Sequence, residues 1–491
     1  MNIGWEDLNN IECTRWKFQK SDRVRSDFHS FKISRDNKLA LKIEITYKPT
    51  ALQTSNISYF HEPKRKAGEV YTIDGYLHLT NIYAPSKTLE LLGISLISSN
   101  IRTYHDETTA TITCAILSIN EVNNSKDDIE ESNFTLDWIT NLDISNYMWS
   151  SGVKETKEST ITRIFSSQKK SISFMQSSES ISNNSNNCCI RVQDVDIFFG
   201  TTDCSEIDKK YNPGFILYSK NCDNEFRKKV RNALSFILGC KIIHIASSLK
   251  DKHYNSIEFE IHTQSTINEL YHTSYNHPPS PLYPSGASYA YLGEDEISLM
   301  TEKIISEYDK YDFNHFSWIY WHAIASPLHL KGVGFGATLE FIQRKYIEQN
   351  PSSFDTKLIS KQQWKILHQS LLSVVNSDKS LDEESKRLLL SKISGLNQTP
   401  QSILTTRFYE TLNLPLGSLE KNSFRQRNNS AHGNKQEEDN VIPDIREIKL
   451  LRIVCNRIIL RIYDLSDCYH DFYSLGGALR NLEDPIPEID V

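Results

Sequence analysis

The chain has no CxxC pair, no HExxH, no GK[ST] after a glycine-rich loop, and no apolar run approaching about 20 residues. Each absence removes a class of function. Without paired Cys and His at ligand spacing there is no zinc framework; "FHEP" at His61 and "YHDETT" at His105 do not supply one, so no metal and no cofactor is expected. "GVGFG", Gly332 to Gly336, lacks the lysine of a phosphate loop and follows an aromatic helical segment instead of a buried strand, so it reads as a turn or a close helix contact. The opening "MNIGWEDLNNIECTRWKF" lacks the basic-then-apolar order of a secretory signal, and with no membrane-length run the expectation is a cytoplasmic protein without membrane contact. Its nine cysteines are odd in number and scattered, and the adjacent Cys188 and Cys189 make a poor bridge, so they read as reduced thiols. An excess of basic charge is missing too. With 55 Lys and Arg against 62 Asp and Glu, the chain carries a formal charge of -7, which argues against a surface built for indiscriminate nucleic-acid binding. Any contact with RNA or DNA must be local.

What is present suits two or three domains: 491 residues, of which 38% are hydrophobic and 10% aromatic, enough for separate cores. Residues 1–165 read as strands, from "FKISRDNKLALKIEITY" to "TTATITCAILSI", and form the expected β-rich sensor or regulatory domain. Ser166 to Asn187 is dominated by Ser and Asn and reads as a loop in which "SISFM" offers an edge strand. Residues 188–275 form a mixed α/β section, including "NEFRKKVRNALSFILGCKIIHIASS". Residues 276–295, with four prolines in "NHPPSPLYPSG", are a connector, and 296–480 read as an all-α bundle punctuated by Pro351, Gly395, Pro400, Pro415 and Gly417. The expected fold class is therefore α+β multidomain.

In the last long helix, Ile448, Leu451, Cys455, Ile458, Ile462 and Leu465 make an apolar seam, with Arg446, Lys449, Arg452, Arg457 and Arg461 on the remaining surface. Two readings follow from that seam. It belongs either to an ordinary bundle with solvated arginines or to a surface shared with a second protomer.

The segment "SFRQRNNSAHGNK", Ser423 to Lys435, carries the candidate chemistry. If it lies within a helix, Arg425, Asn428 and His432 stand three and four residues apart on one stripe, with the long Arg427 beside them. Guanidinium offers a planar donor fork to phosphate, an amide orients a neighbour, and imidazole exchanges a proton near neutral pH. A polar loop with a solvated His is the competing reading.

"RNNSAH", Arg427 to His432, followed by Gly433, resembles the Arg, polar, three variable residues, His motif of HEPN domains, helical ribonuclease modules of toxins and defence proteins. The order of a strand-rich half before such a bundle is similar to the ApeA group of anti-phage abortive-infection proteins, with a general similarity around "NALSFILGCKI". The resemblance implies a toxic, metal-independent endoribonuclease that cleaves cellular RNA, tRNA or mRNA, and acts as a homodimer through the helical domain. It also implies a phage-derived trigger at the amino-terminal region. The RNA 2'-hydroxyl would attack the adjacent phosphorus, giving a 2',3'-cyclic phosphate and a 5'-hydroxyl. In that scheme His432 is general base or acid, Arg427 stabilises the charge of the transition state and Asn428 orients. Arg425 and Lys435 are further phosphate contacts, Arg425 on spacing alone. Two rivals stand beside this: a non-catalytic RNA- or protein-binding module, and a metal-dependent nuclease built on the spaced acids Asp194, Asp196, Glu258 and Glu260, which alternate as a solvated strand face also does. The aromatic cluster Phe316, Trp318, Tyr320 and Trp321 reads as packing instead of base stacking.

Overall fold

The structure, a computed structural model, describes residues 5–48, 58–63, 75–104, 107–123, 133–143, 151–157, 161–176, 184–202, 204, 207–272, 277–280, 292–431 and 441–488. It divides into two compact units, Met1–Pro278 with Leu282–Ile305 and Pro279–Pro281 with Ser306–Val491. The first is built on antiparallel sheets and the second on helices, an α+β multidomain chain as the alternation and the later helical spacing lead one to expect.

The strands of the first unit are β1 (Trp16–Ser21), β2 (Ser30–Arg35), β3 (Leu41–Tyr47), β4 (Tyr76–Asn81), β5 (Lys87–Leu92), β6 (Ser95–Tyr104), β7 (Glu107–Ile116), β8 (Ser118–Asn123), β9 (Phe134–Thr140), β10 (Ser151–Lys157), β11 (Ile161–Ser166), β12 (Ser171–Gln176), β13 (Asn184–Val192), β14 (Val195–Thr201), β15 (Gly214–Tyr218), β16 (Ile243–Lys250) and β17 (Ser256–His262). Thirteen of them form one sheet in the order β1-β4-β5-β8-β17-β16-β9-β15-β14-β13-β10-β11-β12, and the other four form β2-β3-β7-β6. The 1–165 and 188–275 stretches thus share a single sheet. Alternation decides which face is buried: Leu41, Ile43, Ile45 and Tyr47 on β3 and Ala110, Ile112, Cys114 and Ile116 on β7 are all inside. "SISFM" lies in β12, the last strand in the sheet order, and the Ser/Asn-rich stretch also contributes the start of β13. Pairing with β11 and β14 outweighs the weak strand preference of Ser and Asn. None of the nine cysteines is in a disulfide.

The centre of the large sheet, β9, is buried at every position, including Asp137. Helix α1 (Asn224–Leu238) starts at Asp223, whose carboxylate accepts the Phe226 N–H at 2.7 Å, and ends at Gly239 with φ 69°. Gly239 is required twice, because a Cβ there would also lie 2.4 Å from the backbone of His277 and Pro278. Four residues apart on α1, Arg227 and Arg231 each give an Nη1 to one oxygen of Asp137. Two guanidiniums on one carboxylate therefore tie the helix to the middle strand. A second helix, α2 (Thr266–His272), follows β17.

Helix α3 (Glu294–Ser306), except for its last residue, groups with this sheet-rich unit, and the reason is a side-chain ladder. At Asn187 the edge of β13 pairs with Ser151 of β10; at the next odd positions the N–H groups of Cys189, Arg191 and Gln193 go to Glu294 at 3.0 Å, Ser298 at 3.0 Å and Glu302 at 2.6 Å. Ser298 Oγ also donates to the Arg191 carbonyl at 2.6 Å. Four helical residues rise about 6 Å and two strand residues about 6.6 Å, so the i, i+4, i+8 side chains match alternate strand amides over this length.

In the helical unit the elements are α4 (Phe313–Ala325), α5 (Leu328–Gln349), α6 (Lys361–Ser377), α7 (Glu383–Gly395), α8 (Gln401–Thr411), α9 (Ser418–Ala431) and α10 (Val441–Ile462), closed by a hairpin of β18 (Cys468–Asp471) and β19 (Ala478–Asn481). "GVGFG" lies inside α5. A Cβ on Gly334 would stand 2.8 Å from that of Ala323, so glycine here lets α4 and α5 approach; it is a close helix contact and not a turn. Phe316, Tyr320 and Trp321 are buried, while Trp318 is exposed between His315 and His322. The α10 seam is consumed within the chain: Leu451, Cys455 and Ile458 are buried, and α10 packs on α5 and α9. Arg457 departs from the solvated-arginine reading, since it is only 1% exposed.

Candidate functional site

Helix α9 begins after Pro415 and Gly417, and its third residue, Glu420, reaches back to accept the Gly417 N–H at 2.6 Å, as an acid at that position of a helix does. The same carboxylate is fully buried and receives Arg457 Nη1 from α10. Burial pushes the Glu420 carboxyl up and the Arg457 charge pulls it back. Arg457 makes further bonds to the Leu482 carbonyl at 2.6 and 3.1 Å and to the Pro415 carbonyl at 3.2 Å, with the Tyr469 ring at 5.0 Å. This one arginine joins α9, α10 and the segment after β19. It holds the helix that carries the motif.

Continuous helix runs to Ala431, so Arg425, Arg427 and Asn428 lie in the last two turns of α9 and not in a loop. Ser423, four residues before Arg427, is buried. His432, Gly433 and Lys435 lie outside the described residues. The backbone therefore places three of the five expected residues on one helical segment.

The first turns of α10 hold a feature with no signal in the motif. Asp444 is buried, and the Glu447 carboxyl is pushed up to about 7 by burial and then by the Asp444 charge. Glu447 Oε2 is buried without a hydrogen-bond partner among the described residues. A carboxyl that titrates near neutral pH, six residues after the start of α10, can take or give a proton. Because its folded pKa is raised, the native state holds the extra proton: this group's contribution to stability is complete below about pH 4.3 and is lost as pH rises through 7. Glu447→Gln is expected to match the wild type at pH 4 and to exceed its stability at pH 8, by no more than about 1 kcal/mol for a partly buried group, measured by urea unfolding at the two pH values.

Deeper along α10 is a cluster rich in donors. Tyr320 donates to Asn456 Oδ1 at 2.9 Å and receives Arg452 Nε at 3.2 Å, while Arg452 Nη2 and Asn456 Nδ2 are buried without a partner among the described residues. Burial lowers the Lys331 ammonium pKa, and the Arg452 charge lowers it further. Such a cluster favours an anion over a cation.

The acids set aside in the strands have ordinary partners. Asp194 pairs with Lys220, Asp196 with Lys170 at 3.2 Å and Glu260 with His262 at 3.0 Å. Among the described residues no group of three His, Cys, Asp or Glu side chains is placed to hold a metal ion, and no helix is long and apolar enough to cross a membrane. Compared with protein-family models, with curated proteins and with solved structures, the chain matches none.

Proposed function

We propose that this protein is an endoribonuclease of the HEPN type that cleaves cellular RNA without a metal, with Arg427, Asn428 and His432 as its catalytic residues. The observation that carries the reading is the placement of Arg427 and Asn428 on a continuous helix, α9, anchored to α10 by the buried Glu420–Arg457 pair. His432 takes the proton from the 2'-hydroxyl or delivers one to the leaving 5'-oxygen, and Arg427 meets the charge that gathers on phosphorus oxygens in the transition state. Arg425 and Lys435 contact flanking phosphates. The products are a 2',3'-cyclic phosphate and a 5'-hydroxyl.

Two such motifs face one cleft in a homodimer. The helical unit leaves apolar surface for a second copy: Ile366 and Val374 on α6, Leu388 on α7 and Leu396 just past its end are exposed. The sheet-rich unit is the regulatory half of an abortive-infection effector acting in the cytoplasm, released by a phage-derived trigger; the order of the two units supports this, by analogy of architecture. The reading is tested by incubating purified protein with tRNA and mRNA in EDTA. Cleavage that persists in the chelator and disappears in Arg427→Ala is the expected result. Cleavage restored only by magnesium would transfer the chemistry to another site.

A further inference from the structure

One end of the sheet-rich unit holds a cavity of about 390 Å³, to which six neighbouring strands contribute: β1 and β4 to β5, β8, β17 and β16. Its walls combine three features. The first is a set of buried charges that are already neutralised. Lys250, 2% exposed, donates to both oxygens of Asp7 at 2.9 and 3.1 Å and to Ser256 Oγ at 2.6 Å, and Lys87 donates to Glu121 Oε1 at 2.9 Å. A charged group placed against these pairs would break them, whereas a neutral polar one adds to them. The second is acceptor capacity. Glu121 uses one oxygen for Lys87, and a carboxylate has about four lone-pair positions. Burial pushes the Glu121 carboxyl up and lowers the Lys250 ammonium, the perturbation typical of binding sites. The third is aromatic lining, with Trp16, Tyr254 and Phe259 among the residues around the cavity.

A neutral, planar molecule with N–H donors on its edge satisfies all three, and a heterocyclic base is that molecule. At the cavity lining Arg15 is half-exposed and, among the described residues, its side chain pairs with the equally exposed Glu12 at 2.9 Å, which leaves donors for an anionic tail. We infer that the sheet-rich unit binds a nucleoside 5'-monophosphate in this cavity, its base against Trp16 and Phe259 with donors to Glu121, and its phosphate toward Arg15. The inference does not rest on the ribonuclease reading, since binding alone tests it.

Titrating the full chain with adenosine, guanosine, cytidine, uridine and their 5'-monophosphates, followed by tryptophan fluorescence and thermal unfolding, provides the test. At least one monophosphate is expected to bind with sub-millimolar affinity and about tenfold more tightly than its nucleoside. Glu121→Gln should weaken both by about tenfold. Arg15→Ala, at an exposed position that leaves folding intact, should abolish the preference for the monophosphate while keeping the nucleoside. No response to any of the eight at 5 mM would overturn the inference. So would an equal response to inorganic phosphate, or binding unaltered in both variants.

Discussion

Asp137→Ala is expected to lower the stability of the sheet-rich unit by about 3–5 kcal/mol, because it leaves Arg227 and Arg231 buried without a counter-charge. Both arginines are 7% exposed and Asp137 is not exposed at all, so solvent cannot replace the lost carboxylate. Burial works against the Arg227 charge, yet Asp137 more than offsets it and keeps the guanidinium pKa raised. Set against a typical domain stability of about 5–15 kcal/mol, the loss should bring the urea midpoint down by roughly 1–2 M or prevent soluble accumulation. Replacing the whole triad, Asp137→Leu with Arg227→Met and Arg231→Met, should recover most of the loss, since an apolar trio needs no counter-charge. A single Asp137→Ala variant within 1 kcal/mol of the wild type would mean that the arginines find other acceptors.

The second large effect concerns the helical unit. His432→Ala is expected to reduce RNA cleavage by about 10²–10⁴, the range supplied by a positioned acid or base, and Arg427→Ala by about 10²–10³, the cost of removing one donor to a charged transition state. Neither should alter folding, since the buried anchor of α9 is Glu420 with Arg457, a full two turns earlier than the motif. Circular dichroism and unfolding midpoints check that, so a fall in rate with unchanged stability assigns the loss to chemistry. Glu420→Ala should behave in the opposite way, unfolding the end of the bundle before any effect on rate can be read.

Much of this architecture is visible in the chain itself. The alternation of Leu41, Ile43, Ile45 and Tyr47 marks a strand with one buried face, and the helical spacing from Phe313 onward marks the second unit, whereas the helix expected just after residue 296 groups with the first. A helix under "RNNSA" is one of two readings of that segment, beside a polar loop, and the helix runs to Ala431. Other features were hidden for physical reasons. β9 reads "FTLDWIT", where one acid interrupts an apolar run; the partners that let it be buried are about ninety residues away on α1. Such a lone acid is itself the signal, together with arginines four apart on a later amphipathic helix. The assignment of α3 to the sheet-rich unit depends on three side chains matching strand amides, a coincidence of rise that no local propensity records. Arg457 looks like its neighbours on α10, and only the fold reveals that it is buried. Glu447 likewise carries no local mark, because its raised pKa comes from burial and from Asp444 one turn earlier.

Arg427 and His432 are proposed to cleave RNA through its own 2'-hydroxyl. Mapping the ends of cellular RNA after inducing the wild type and His432→Ala tests it most directly. The account requires new 2',3'-cyclic phosphate and 5'-hydroxyl ends with the wild type and none with the variant. Ends bearing 5'-phosphate, or the same cyclic ends from His432→Ala, would contradict it.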